Sequence, residues 1–280
     1  MRADWKCFAE VFHLPSWAHK SGICMKCTAT TDTYKDVACK FPRLTHWQFI
    51  ERQLDLKRPV STIYSVPLFQ TSNFKLDWLH VVDLGVTPDC LGNCFHFLLP
   101  RLGKNASEQL SHLLLLIKQY YIEHDIKDGI NNLTAGMVRA SPSVSPKLKV
   151  KGAEARSLVG FAKALCEKYC DESKALDCGV KWAVIYLNKC HDLGLHRDTF
   201  NASNFQRAVQ SFLLQYKSLE EAMGTDKLLW VLKPKFHMLF ELAQTGDCPA
   251  MNWNYRDEEA GGTLARMARS QWWAAESLER

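Results

Sequence analysis

Phe74-Lys75-Leu76-Asp77-Trp78-Leu79-His80-Val81-Val82-Asp83-Leu84-Gly85 sets two acids and one imidazole into a run of apolar residues. An acid and a histidine three apart fall on one face of a helical turn, where they reach a shared metal or each other. The competing reading is a buried Asp77–His80 hydrogen bond that fixes the helix around it. The apolar residues between them make this a core segment, and it continues through Asp89 to Leu99 as a predicted helix, broken over 100–105 by Pro100 and Gly103.

Outward from this stretch, helical periodicity dominates. Trp5, Phe8 and Phe12 share one face of a short helix over Asp4 to Leu14, ended by Pro15. Thr45 caps a brief helix with Trp47, Phe49 and Ile50, and residues 59–73 are turn-rich around Pro67. Ser107 is the predicted cap of a helix whose Leu110, Leu113, Leu114, Ile117 and Tyr121 form an apolar stripe. Residues 141–151, with two prolines and three serines, read as a linker. Further helices are predicted over Ala153 to Cys170, Val180 to Leu193, Asn204 to Met223, Leu228 to Gln244 with a restart at Pro234, and Thr263 to Leu278. Alternating strand patterns are few, and no internal repeat is visible.

The chain has 280 residues, 47% of them hydrophobic, which supplies a substantial core. No run approaches the roughly 18 to 20 apolar residues of a membrane span. Eleven cysteines without regular spacing argue for a reducing compartment rather than a disulfide framework. The net charge of +5 comes from 35 basic and 30 acidic residues, a mixed surface compatible with nucleic-acid binding.

Several groups can carry chemistry. Cys24-x-x-Cys27 is half of a zinc arrangement, the remaining ligands to come from His80, His237 or Cys39; the alternative is a pair of ordinary loop cysteines. Lys233-Pro234-Lys235-Phe236-His237 puts two cations and an imidazole at a helix start, where phosphate can dock. Asp257, Glu258 and Glu259 can hold Mg2+ through carboxylate oxygens, or simply favour the start of the following helix. No catalytic serine or cysteine triad and no phosphate-binding glycine loop is present.

Taken as an ordered series, Ala3-Asp4-Trp5-Lys6, Cys24-x-x-Cys27, Asp77-Trp-Leu-His80 with Asp83-Leu-Gly85, Lys233-Pro-Lys-x-His237 and Arg256-Asp-Glu258 resembles the catalytic region of eukaryotic cut-and-paste DNA transposases, particularly the CACTA and Kyakuja-Dileera-Zisupton groups. The resemblance implies a ribonuclease-H-like fold in which three acids hold two Mg2+ or Mn2+ ions. It makes Asp4 the second acid, Glu258 the third with Asp257 and Glu259 as neighbouring choices, and Asp77 with His80 the signature of a helical insertion, supported by His237. Cys24 and Cys27 would hold structural Zn2+, and Lys233, Lys235 and Arg256 would meet DNA phosphate.

The first acid of such an enzyme lies on a strand upstream of the second, whereas Asp4 stands near the start of this chain. The expected architecture is therefore mainly α, a large helical insertion with a partial, vestigial ribonuclease-H-like α/β portion. It divides into a core remnant at 1–73, an insertion domain at 74–244 and a closing segment at 245–280. A truncated, transposase-derived fragment inactive by itself is expected, with DNA as partner, a homo-oligomer allowed, no membrane, and the nucleus or else the cytoplasm as location. The other reading is a DNA- or protein-binding helical module with a zinc knuckle and no catalysis.

Overall fold

The computed structural model describes residues 5–17, 19–38, 40–224 and 228–255. Its helices are α1 (Trp5–Phe12), α2 (His46–Asp55), α3 (Thr87–Leu98), α4 (Ala106–Glu123), α5 (Ala135–Val138), α6 (Gly152–Tyr169), α7 (Ala175–Leu195), α8 (Ala202–Met223) and α9 (Pro234–Gln244). The mainly α expectation holds. Among the described residues no strands pair into a sheet; Cys27 and Arg43 form an isolated antiparallel bridge. The helix expected over 263–278 lies outside the described residues.

A π-helical segment, Leu79–Val86, runs into α3 and stands at the centre of the fold. Pro88 occupies the first turn of α3 and has no N–H to offer the carbonyl of Leu84. Lys147 Nζ donates to that carbonyl instead (3.2 Å), and Lys235 Nζ donates to the carbonyl of His80 (2.6 Å). Two lysines from distant segments thus satisfy backbone oxygens at a widened turn. A Cβ at Gly85 would crowd Lys235 Cδ (2.6 Å) and the His80 carbonyl (3.0 Å), so a larger residue there would displace the Lys235 side chain.

Around this segment α6, α7 and α8 pack in sequence, α3 lies against α6, and α9 lies against both α8 and the π-helical turn. Trp78 is fully buried, donates through Nε1 to Asp83 Oδ1 (3.1 Å) and meets the edge of His191. The larger hydrophobic core gathers buried residues from Trp5 to Ala243, and a smaller one gathers Ile23, Cys24, Cys27 and Ala29.

Three expected features are corrected. Residues 141–151 are not a free linker: Leu148 is buried and its N–H bonds to the carbonyl of Pro88 (2.9 Å), laying the segment across α3 where Gly92 leaves room. Residues 228–233 are not helical, because the Trp230 N–H goes to Asn93 Oδ1 (2.8 Å) and the indole packs on Tyr216. Helix α4 is capped by Asn105, whose side chain accepts from Glu108 N (3.0 Å), rather than by Ser107.

Candidate metal centre

Cys24 and Cys27 lie on a tight loop held by the Ile23 N–H to the Ala29 carbonyl (3.0 Å) and flanked by Thr28 to Pro42 and Leu44 to Lys26 backbone bonds. The Lys26 N–H points at Cys24 Sγ (3.3 Å), and the Arg52 guanidinium donates to the Cys27 carbonyl (3.0 Å) and to that of Cys24. These bonds turn both thiols inward, toward α9. Pro234 starts α9 with φ already set, and the helical spacing then places His237 and Glu241 one above the other on the facing side.

Sulfur, nitrogen and oxygen donors of Cys24, Cys27, His237 and Glu241 all lie within 4.8 Å of one another, and all four residues are buried. Cys27 Sγ is 3.4 Å from His237 Nε2, which is 3.5 Å from Glu241 Oε1. Donors at about 2.0 to 2.3 Å around a tetrahedral ion stand about 3.3 to 3.8 Å apart, so these separations suit one. This group could hold a metal ion.

The polar bookkeeping of the cluster supports that fit. Glu241 is 1% exposed; Arg43 binds its Oε2 (2.6 Å), while Oε1 has no hydrogen-bond partner despite being buried. An orphaned carboxylate oxygen facing two thiols and an imidazole is costly unless a cation meets it. Burial raises the Glu241 carboxyl above its ordinary range, with the Cys24 charge adding to the shift. Burial opposes ionisation of Cys24, yet hydrogen bonds with Cys27 and His237 hold its thiol well below the usual value. Cys27 is pushed up by the same bond to Cys24 and by burial. A metal ion binding here would displace thiol protons.

Of the proposed ligands, Cys24, Cys27 and His237 come together. His80 is elsewhere: its Nδ1 and N–H both go to Asp77 Oδ2, while Asp77 Oδ1 accepts from Leu79 N (3.1 Å) and Asn254 N (2.9 Å). Asp77 is therefore the cap of the π-helical segment. Trp5, Leu76 and Met238 line both the cavity beside the metal donors and the small cavity beside Asp77 and His80, so the two groups are neighbours. Lys233 Nζ is paired with buried Asp89, and Lys235 Nζ with the His80 carbonyl. Asp4, Cys39, Arg256, Asp257, Glu258 and Glu259 lie outside the described residues. Glu241 is the candidate ligand that the sequence reading missed; its signal was the i, i+4 spacing from His237.

No family model, no curated protein and no solved structure matches this chain.

Proposed function

We propose that the chain is the metal-stapled helical part of a DNA-cleaving transposase of the DDE/D type. In this reading Zn2+ sits between Cys24, Cys27, His237 and Glu241. Four protein donors, full burial and a mixed sulfur, nitrogen and oxygen set suit a structural zinc rather than a catalytic one with an open position.

The observation that carries the catalytic part of the proposal is convergence. Trp5, near one end of the described chain, lines the cavity at Asp77 and His80. Asn254, near the other end, bonds to Asp77 through its N–H (2.9 Å). Asp4 precedes the first of these residues directly and Glu258 follows the second by four positions. In the proposal, these two acids are among the carboxylates, distant in sequence, that two-metal phosphoryl transfer requires. Asp77 and His80 act there as positioning residues, since their polar atoms are committed to the backbone and to each other. Mg2+ or Mn2+, when bound, would stabilise charge on the attacking and leaving oxygens.

Iron-directed cleavage tests this on the zinc-loaded protein. Fe2+ with ascorbate should cut the backbone near residues 4, 77–80 and 258, and excess Mg2+ or Asp4→Asn should suppress the cuts. Absence of Mg2+-suppressible cuts at these positions would overturn the catalytic reading and leave a zinc-stapled helical binding module.

A further inference from the structure

We infer that the face of the metal centre turned away from Asp77 and His80 is a binding groove for single-stranded DNA. A groove of about 910 Å³ runs between the 38–43 arm on one side and α8 with the end of α9 on the other. Lys40, Arg43 and Arg207 stand along it, and no carboxylate is among its described lining residues. Phe41 and Phe240 present half-buried rings in opposite walls.

A lining with Lys40, Arg207 and the Glu241-paired Arg43 and no described carboxylate fits a polyanion, and this narrows the occupant to phosphate-bearing or acidic chains. The rings narrow it further. Aromatic walls stack on exposed base faces, which a duplex keeps hidden and a single strand offers. Two amide side chains shape the groove: Gln206 Nε2 donates to the Ala243 carbonyl (3.0 Å) within the helical wall, and Gln210 Nε2 donates to the Val37 carbonyl (2.7 Å), tying α8 to the arm. DNA rather than RNA follows from the proposed cleavage reaction, on which this inference rests, because breaking a duplex exposes single-stranded ends.

The metal donors set the groove's shape. Phe41 meets the edge of His237 at a centroid distance of 5.4 Å and Phe240 stacks on it at 6.2 Å. Arg43 belongs to both sites, through its ion pair with Glu241 and its place in the groove.

The test is fluorescence anisotropy with a labelled oligothymidylate of about 12 nucleotides, titrated over a range of salt, on the zinc-loaded full chain. Binding should weaken with salt, and Lys40→Glu combined with Arg207→Glu should lower affinity by on the order of 10-fold or more. Lys40→Ala alone should reduce the slope of log K against log salt by about 0.7. Both cations are exposed, so folding should survive; unchanged zinc content and melting temperature verify it. Photocross-linking of an iodouracil-substituted strand to the unmodified protein should map to Phe41 or Phe240. Three results would overturn the groove: cross-links confined to other surfaces, a duplex or RNA of the same length competing equally well, or charge reversal without effect. Loss of strand binding with intact iron cuts at residues 77–80 removes the groove alone. Missing iron cuts with intact strand binding removes the catalytic reading alone.

Discussion

Stripping the ion from the Cys24, Cys27, His237 and Glu241 group should unlock the N-terminal segment from α9. Cys27 and His237 are 210 residues apart, so an ion joining them closes a loop of that size. Treated as a cross-link, such a loop removes about 5 kcal/mol of chain entropy from the unfolded state. At about 2 to 4 °C per kcal/mol for a chain of this size, the melting temperature should fall by about 10 to 20 °C. Scanning calorimetry on zinc-loaded protein, chelator-treated protein and Cys27→Ser, with metal content measured on each sample, reads the effect. Arg43→Ala leaves all four donors in place but frees the Glu241 carboxylate, and should weaken metal affinity by about 10- to 100-fold. Exposed Lys40→Ala on the same arm should leave metal affinity alone. If verified metal-free protein melts within about 2 °C of the loaded form, the staple is refuted.

Two further outcomes follow from the buried centre and from helix packing. Burial holds Asp83 up at about 7 from an ordinary 3.8, so between about pH 4 and 7 the folded chain keeps a proton that the unfolded chain has released. Stability therefore falls as pH rises through that window, by at most about 4 kcal/mol. His191, which burial and then Arg156 hold down at about 3, works in the opposite sense: stability falls as pH drops from about 6.5 toward 3. Because these contributions oppose each other over the same range, urea midpoints of the parent should change little between about pH 4 and 6.5, whereas those of Asp83→Asn should rise with pH; parallel profiles for variant and parent would contradict this. Gly92→Ala should lower the melting temperature sharply, since its Cβ would stand 2.6 Å from the Lys147 backbone nitrogen, whereas Gly136→Ala in α5 meets nothing within 4 Å and should stabilise by about 0.4 to 1 kcal/mol. Equal melting temperatures for the two variants would count against the packing described at α3.

Local signals were legible where a residue's partner lies within one turn. Thr45 and Gln48 exchange side chain and backbone bonds as a capping box, and the apolar stripe of α4 is buried at Leu113, Ile117 and Tyr121. Asp77 and His80 pair as their spacing allows. Failures came where the deciding partner is remote. The apolar run Leu228-Leu229-Trp230 looks helical, but Asn93, 137 residues away, takes the Trp230 N–H and draws the chain out of a helix. The prolines around 142–146 announce a loop and say nothing of Gly92, whose missing side chain lets that loop become a buried strap. The metal donors were half legible: the paired thiols and His237 stood out as residue types, while Glu241 resembled any surface acid until helical spacing placed it above His237. Arg43, which orients it, gives no sequence signal because its pairing depends on the bridge to Cys27.

The 210-residue separation within the cluster also orders events during synthesis. At about 5 to 20 residues per second, the two thiols emerge from the ribosome about 10 to 40 s before His237 does. Helices α3 to α8 are made in that interval and find most of their neighbours close by in sequence. To serve as metal ligands, Cys24 and Cys27 must meanwhile stay reduced and uncommitted. In the metal-stapled reading, the Cys24–Cys27 loop is thus locked only after His237 has emerged, and that step depends on the redox state and metal supply during translation.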